Sequence, residues 1–166
     1  MVRVVVMGVS GSGKTSVGAA LADRLQLPFV EGDSLHPQSN VARMAAGIPL
    51  SDADRWPWLD QIGDRLAQAP GGVVISCSAL KKAYRERLRA AAAPLYFIFL
   101  DGAFDVLSTR MASRKGHFMP VSLLESQLAT LETPVGEPLV HRIDAALPVE
   151  RIVAESADWL AAQSKA

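Results

Sequence analysis

One stretch constrains this chain more than any other. Residues Gly8-Val9-Ser10-Gly11-Ser12-Gly13-Lys14-Thr15 satisfy the pattern G-x-x-x-x-G-K-[ST] at every fixed position, directly after the apolar run Val4-Val5-Val6-Met7. Glycines at 8, 11 and 13 permit backbone angles and close approaches that a Cβ forbids. The freed N–H groups can then turn inward around a phosphate, at the N-terminus of the helix that follows. In this pattern Lys14 reaches the β- and γ-phosphates and the Thr15 hydroxyl ligates Mg²⁺. A glycine-rich turn that binds nothing would share the composition but not the context, a strand before and an amphipathic helix after. The stretch reads as a nucleotide-binding loop, with contacts expected from Gly8, Ser10, Gly11, Ser12, Gly13, Lys14, Thr15 and Ser16.

A chain of 166 residues is expected to form a single domain, 1–166, large enough to bury a real core. Lys plus Arg equals Asp plus Glu at 17 each, so no overall charge draws the protein to nucleic acid or a membrane surface. Any anion site must be local. Cys77 is the only cysteine, which excludes an intrachain disulfide and points to a reducing compartment. No apolar run approaches the ~20 residues of a membrane span, and the N-terminus enters a strand with no leader pattern. The expectation is a soluble, cytoplasmic protein.

Strand and helix alternate along the chain. Val2 to Met7 is a strand apolar on both faces, and Lys14 to Leu25 a helix with Val17, Leu21 and Leu25 inward. Phe29-Val30 reads as a second strand. Ser34 to Ala46 is expected to be helical, with Pro37 near its first turn, and a further helix runs from about Ser51 to Ala67, kinked or restarted at Pro57. Val73 to Ser76 is a third strand, Leu80 to Ala91 a basic helix and Leu95 to Leu100 a fourth strand. Helices at Phe104–Met111 and Val121–Leu131, a weaker strand at Leu139–Ile143 and a closing helix at Val149–Ala162 complete the pattern. This order argues an α/β fold, a parallel sheet wrapped by helices on both faces.

Ligands of such sheets sit beyond the carboxyl ends of the strands. That rule gathers the phosphate loop, Glu31-Gly32-Asp33, Cys77-Ser78-Ala79-Leu80-Lys81 and the Arg110–His117 region. Asp33 is the candidate carboxylate that orients an attacking hydroxyl and accepts its proton; it could instead hold Mg²⁺ through water or cap the next helix. Arg110 and Arg114 share a helical face, and with Lys115-Gly116-His117 they read as a lid carrying positive charge over the phosphoryl group. A solvated basic face is the alternative. The cluster Lys81 to Arg87 places cations at a helix N-terminus, against the helix dipole; an anionic substrate would offset this, and a solvent-facing charge run would not. Cys77 reads as a buried small residue, the three tryptophans as packing, and the histidines as too scattered for zinc. Asp60-Gln61-Ile62-Gly63 fits a switch motif but falls inside a helix, and no N-K-x-D guanine reader exists.

Beyond the loop, several segments together resemble the bacterial-type gluconokinases. They are Glu31-Gly32-Asp33-Ser34-Leu35-His36-Pro37, Asn40 with Met44 to Leu50, Asp52, Asp54-Arg55, Pro57-Trp58-Leu59, Cys77 to Lys82 with Tyr84-Arg85, Arg114-Lys115-Gly116-His117-Phe118, and Ser126-Gln127-Leu128 with Leu131-Glu132. The likeness runs from Val4 to about Val153. It implies a P-loop NTPase fold like nucleoside-monophosphate and shikimate kinases: a five-stranded parallel sheet flanked by helices, a substrate-covering segment at about 34–68 and a lid at about 112–122. It implies ATP with Mg²⁺, transfer to the 6-hydroxyl of D-gluconate, and a homodimer. Lys14, Asp33 and Arg114 would then be catalytic, and Asp33, His36, Arg43, Arg55, Lys81, Tyr84, Arg85 and His117 would meet the substrate. Arg110, Arg114 and the loop near Pro148 would flank the nucleotide. Relatives often carry Asp where this chain has Glu31, and Met119-Pro120 also departs from the pattern. The residues themselves leave open another small anionic acceptor, such as a shikimate-like acid or a nucleoside monophosphate. They also leave open a nucleotide-dependent regulatory module.

Overall fold

Val4, Val5 and Val6 lie in the central strand of a sheet and are fully buried, because β-branched side chains on both faces of one strand need cover from both sides. The computed structural model describes residues 1–113 and 121–165. The strands β1 (Val2–Met7), β2 (Phe29–Glu31), β3 (Gly72–Ser76), β4 (Tyr96–Asp101) and β5 (Val140–Asp144) form one parallel sheet in the order β2-β3-β1-β4-β5. The helices are α1 (Lys14–Leu25), α2 (Gln38–Ala45), α3 (Asp52–Gln68), α4 (Lys82–Ala91), α5 (Phe104–Ser113), α6 (Val121–Thr130) and α7 (Val149–Ser164).

The two-residue period of the strands divides the core. Val4, Val6, Val74, Ile98 and Leu100 pack with Val17 and Leu21 of α1 and Ile152 and Leu160 of α7. Val5, Met7, Ile75, Phe97 and Phe99 face the other way, onto Trp58, Leu59 and Ile62 of α3, Tyr84 and Leu88 of α4, and Leu124 of α6. Each large apolar side chain so buried contributes roughly 1.5–3 kcal/mol. β1 therefore sends its helix to one face, while its neighbour β3 sends α4 to the other. Their carboxyl ends open a crevice between them, where ligands of this architecture bind.

Two helix starts differ from the sequence expectation, each through backbone chemistry. Ser34–Ala46 is not one helix: a 3-10 turn spans Gly32–Leu35, and α2 begins only at Gln38. His36 precedes a proline, which disfavours helical angles, and it is extended at φ −64° and ψ 137°. α4 begins at Lys82 rather than Leu80, because Ala79 takes a positive φ of 46° and Lys81 is extended. α3 runs without restart through Pro57, in its second turn, where the proline forgoes a single helical bond, to Ala53 O. Its entry is a capping box, with Asp54 N–H donating to Ser51 Oγ at 3.1 Å and Ser51 N–H donating to Asp54 Oδ2 at 2.9 Å. Among the described residues, no helix is long and apolar enough to cross a membrane.

Candidate active site

The phosphate loop leaves β1 in the conformation its glycines permit. Gly8 has φ +151° and a Cβ there would lie 2.9 Å from Leu100 O, so only glycine fits. Gly13, at φ +94°, ends the loop and begins α1. Ser12 Oγ is buried and, among the described residues, has no hydrogen-bond partner. An unpartnered buried hydroxyl inside a ring of backbone amides fits an anion that would supply acceptors.

On the α7 side of the loop lies a cavity of about 350 Å³ lined by Gly11, Gly13, Thr15, Ser16, Arg110, Ala145, Leu147, Val149 and Ile152. Arg110 Nη1 donates to Ser12 O at 3.5 Å, placing a guanidinium over the loop. Apolar residues from the end of β5 and the start of α7 form the opposite wall. A planar apolar ring between them, with its phosphates in the loop, matches this lining. Pro148 caps α7 between two of the lining residues.

The other side is a narrow cleft lined by Ser10, Lys14, Asp33, His36, Met44, Leu50, Arg55, Trp58, Ser78 and Gln127. Asp33 sits in the 3-10 turn whose cap is Glu31, and the following helix is capped by Pro37, so its side chain caps neither. Its Oδ1 is 3.9 Å from His36 Nε2. His36 stacks on Trp58 at 4.0 Å between centroids, and Trp58 Nε1 donates to Gly32 O at 2.8 Å. Asn40 fixes the tautomer: its amide NH₂ donates to Asp54 O at 2.9 Å, so the same group also donates to His36 Nδ1 at 3.1 Å. The proton of neutral His36 therefore sits on Nε2, toward the cleft. Burial, and next the Arg55 charge, push His36 down to about 4, which keeps it neutral at physiological pH.

Glu31 closes the floor. Its Oε2 accepts from Thr15 Oγ1 at 2.6 Å and its Oε1 from Ser76 Oγ at 2.8 Å, while Ser76 Oγ accepts from Gly32 N–H at 3.2 Å. A Cβ on Gly32 would fall 1.9 Å from Ser76 O, so this crossing of β2 and β3 demands glycine.

The basic residues expected at the substrate separate sharply. Arg55 is buried in the cleft wall, and its Nη1 donates to Tyr84 Oη at 3.2 Å. Tyr84 in turn donates to Asp52, which also accepts from Lys81 Nζ at 3.0 Å. Hydrogen bonds from Tyr84 and then Lys81 hold the Asp52 carboxyl below its usual range. Lys81 thus bonds to Asp52, and Tyr84 to Asp52 and Arg55; neither is part of the cleft lining. Two cations of the Lys81–Arg87 cluster, Lys81 and Arg87, are answered by protein carboxylates, Asp52 and Asp60. Arg43 lies on the outer face of α2, 3.8 Å from Asp54.

Arg85 corrects the expectation outright. It is fully buried, with Nε and Nη2 on the two oxygens of Glu137, Nη1 on Ala79 O at 2.7 Å and Nη2 also on Glu132 O at 2.7 Å. Four of its five N–H donors are taken by protein groups, and the side chain is not part of the cleft lining. Burial pushes the Glu137 carboxyl up most strongly, yet hydrogen bonds from Arg85 and Arg89 hold it below its ordinary value. Cys77 is buried and its thiol is pushed up to about 12 by that burial, so it is no nucleophile. Arg114, His117 and most of the expected lid at 112–122 lie outside the described residues.

Asn40, Ser78 and Gln127 were not picked out as site residues by sequence reasoning, although each lies in a segment that carried the family resemblance. Their polar side chains gave no signal alone, since one Asn, Ser or Gln on a surface is ordinary.

Comparison with known proteins adds three findings. A family model described as an AAA domain matches residues 4–134. A gluconokinase of Gluconobacter oxydans strain 621H is 52% identical over 143 residues, covering 84% of this chain and 80% of that protein. The crystal structure of a gluconokinase from Sinorhizobium meliloti 1021 superposes with a TM-score of 0.91 at 54% identity, over 99% of this chain and 94% of that one. At 22% identity and a TM-score of 0.70, the APS kinase CysC of Mycobacterium tuberculosis, over 96% of this chain and 97% of that one, shares the fold alone.

Proposed function

The chain belongs to the gluconokinase family of P-loop kinases, and from that premise we propose which residues do what in its cleft. The reaction is phosphorylation of D-gluconate at its 6-hydroxyl, with ATP as donor. One observation supports the division of labour: Lys14 and Asp33 line the same cleft, with Arg55 in its wall.

Backbone amides of Gly11 to Thr15 cradle the phosphates, and Lys14 cancels charge that builds on the transferred group. Arg110 and the Leu147–Val149 segment flank the adenine. Asp33 aligns the 6-hydroxyl and takes its proton; positioning matters most, because the transition state is loose. His36 donates from Nε2 to a hydroxyl of the substrate. Arg55 receives the C1 carboxylate. Since His36 is neutral and Lys14 serves the phosphates, Arg55 is the fixed positive charge left for that carboxylate among the lining residues described. Asp52, Tyr84 and Lys81 hold Arg55 in place from behind.

Thr15 Oγ1 and the Glu31 carboxylate are hard oxygen donors in contact at the loop, a set that suits Mg²⁺. When bound there, the ion would neutralise phosphate charge, with Thr15 and Glu31 holding it directly or through water. The homodimer and the cytoplasmic location belong to the same proposal, and light scattering on the purified protein tests the former.

A coupled ADP-release assay over gluconate, other sugar acids, shikimate and nucleoside monophosphates tests the assignment. Gluconate is expected to give the highest kcat/KM. Faster turnover of another acceptor would overturn it, and ATP binding with no acceptor at all would favour a regulatory module.

A further inference from the structure

The peptide between Val9 and Ser10 is held at both ends. Its carbonyl accepts from the Lys14 ammonium at 3.1 Å and from Ser12 N–H at 3.2 Å. Its N–H donates to Gln127 Oε1 at 2.8 Å, from α6, 117 positions along the chain. A trans peptide is planar, so its N–H and C=O turn together. An acceptor fixed on the N–H therefore fixes where the carbonyl points. Polarisation along the same chain of bonds strengthens what the carbonyl offers the ammonium.

Lysine needs such aiming. Its ammonium rides on a flexible four-carbon stem and acts as a point charge, whereas a loose phosphoryl transition state rewards position above all. Docking of α6 does not call for a polar residue at 127, because Leu123 and Leu124 already anchor that helix in the core.

We infer that Gln127 is a positioning residue for phosphoryl transfer: through the Val9–Ser10 peptide it sets where the Lys14 ammonium stands. This rests on the kinase reading of the cleft. Gln127 then links α6 to the phosphate loop without itself touching a reacting atom.

The test compares the full-length enzyme with Gln127→Ala and Gln127→Glu. It reads kcat, KM for gluconate and for ATP, the melting temperature, and the ¹H–¹⁵N shift and exchange rate of the Ser10 amide. Gln127→Ala is expected to lower kcat about tenfold or more while KM for gluconate stays within about twofold. The Ser10 amide is expected to shift and exchange faster, with little change in melting. Gln127→Glu keeps an acceptor oxygen, so it is expected to restore the Ser10 signal. It should recover part of kcat toward low pH, where the carboxyl is protonated and stops competing for Lys14. A gluconate KM that rises while kcat holds would make Gln127 a substrate contact and overturn the inference. A fall in melting temperature with kcat intact below it would reduce Gln127 to a tether, and an unmoved Ser10 amide would remove the bond altogether. A parent enzyme that turns over some other acceptor overturns the gluconate reading alone, and the same comparison is then run with that acceptor.

Discussion

On one side of the cleft, eight consecutive residues, Gly8 to Thr15, build the phosphate site largely from backbone N–H groups. On the other side, the lining comes from separate segments, with Asp33, His36, Arg55, Ser78 and Gln127 far apart in the chain. The first wall is a local conformation that three glycines and a helix N-terminus specify wherever they occur. The second exists only because the 3-10 turn, α3, the β3 loop and α6 meet at one end of the sheet. A change in the first wall should therefore abolish chemistry whatever the acceptor, and a change in the second should alter kcat or acceptor recognition one residue at a time.

The largest effect is expected on the phosphate side. Lys14→Ala should cut kcat by about 10³-fold or more with the circular-dichroism spectrum unchanged. Near-normal turnover would remove the loop from the mechanism. Across the cleft, Asp33→Asn should lower kcat about 10²- to 10⁴-fold while ATP affinity, by calorimetry, stays put. If kcat were untouched, Asp33 would have no part in handling the hydroxyl.

Arg55 and Arg85 sharpen the contrast within the acceptor wall. Arg55→Gln should raise KM for gluconate about 10- to 100-fold, since a charge-assisted contact to a carboxylate is lost, with a smaller penalty on uncharged polyols. Arg85→Met should instead lower stability by about 3–5 kcal/mol in urea melts, because Glu137 keeps only Arg89 as partner and the buried carbonyls of Ala79 and Glu132 lose their donor, while KM of the folded fraction is held. Reversed results for these two arginines would exchange their roles.

The smallest effect concerns pH. With the folded pKa of His36 lowered to about 4 from 6.5, the unfolded state binds the extra proton between those values. Stability from this group is thus complete above about pH 6.5 and is lost as pH falls toward 4. His36→Gln should flatten that part of a stability profile, and gluconate KM in the parent enzyme should show no step near pH 6.5. A step there would mean that His36 titrates normally and donates as a cation.

Much of the fold was legible because its signals are contiguous. Apolar runs such as Val4–Met7 mark strands, and their alternation with amphipathic helices implies a parallel sheet without any knowledge of contacts. The helix start at 82 was not legible, since the left-handed turn at Ala79 belongs to a residue with no special preference for it, whereas the start at 38 follows from Pro37, which disfavours helical angles at His36. Arg55, Arg85 and Arg43 are equally basic to a reader of the sequence. Burial beside the acceptor cleft, enclosure by Glu137 and exposure next to Asp54 are decided by what each helix packs against.

By itself, then, the sequence determined the phosphate loop, the class of sheet and, through its resemblance to a family, the reaction, because each is carried by neighbours in the chain. Only the tertiary structure decided which arginine is buried in the cleft wall, which nitrogen of His36 carries the proton and what holds Ser10. Those depend on groups tens of residues apart coming within hydrogen-bond distance. Spacing along the chain carries no record of such meetings; the packing of α3, α4 and α6 on the sheet creates them.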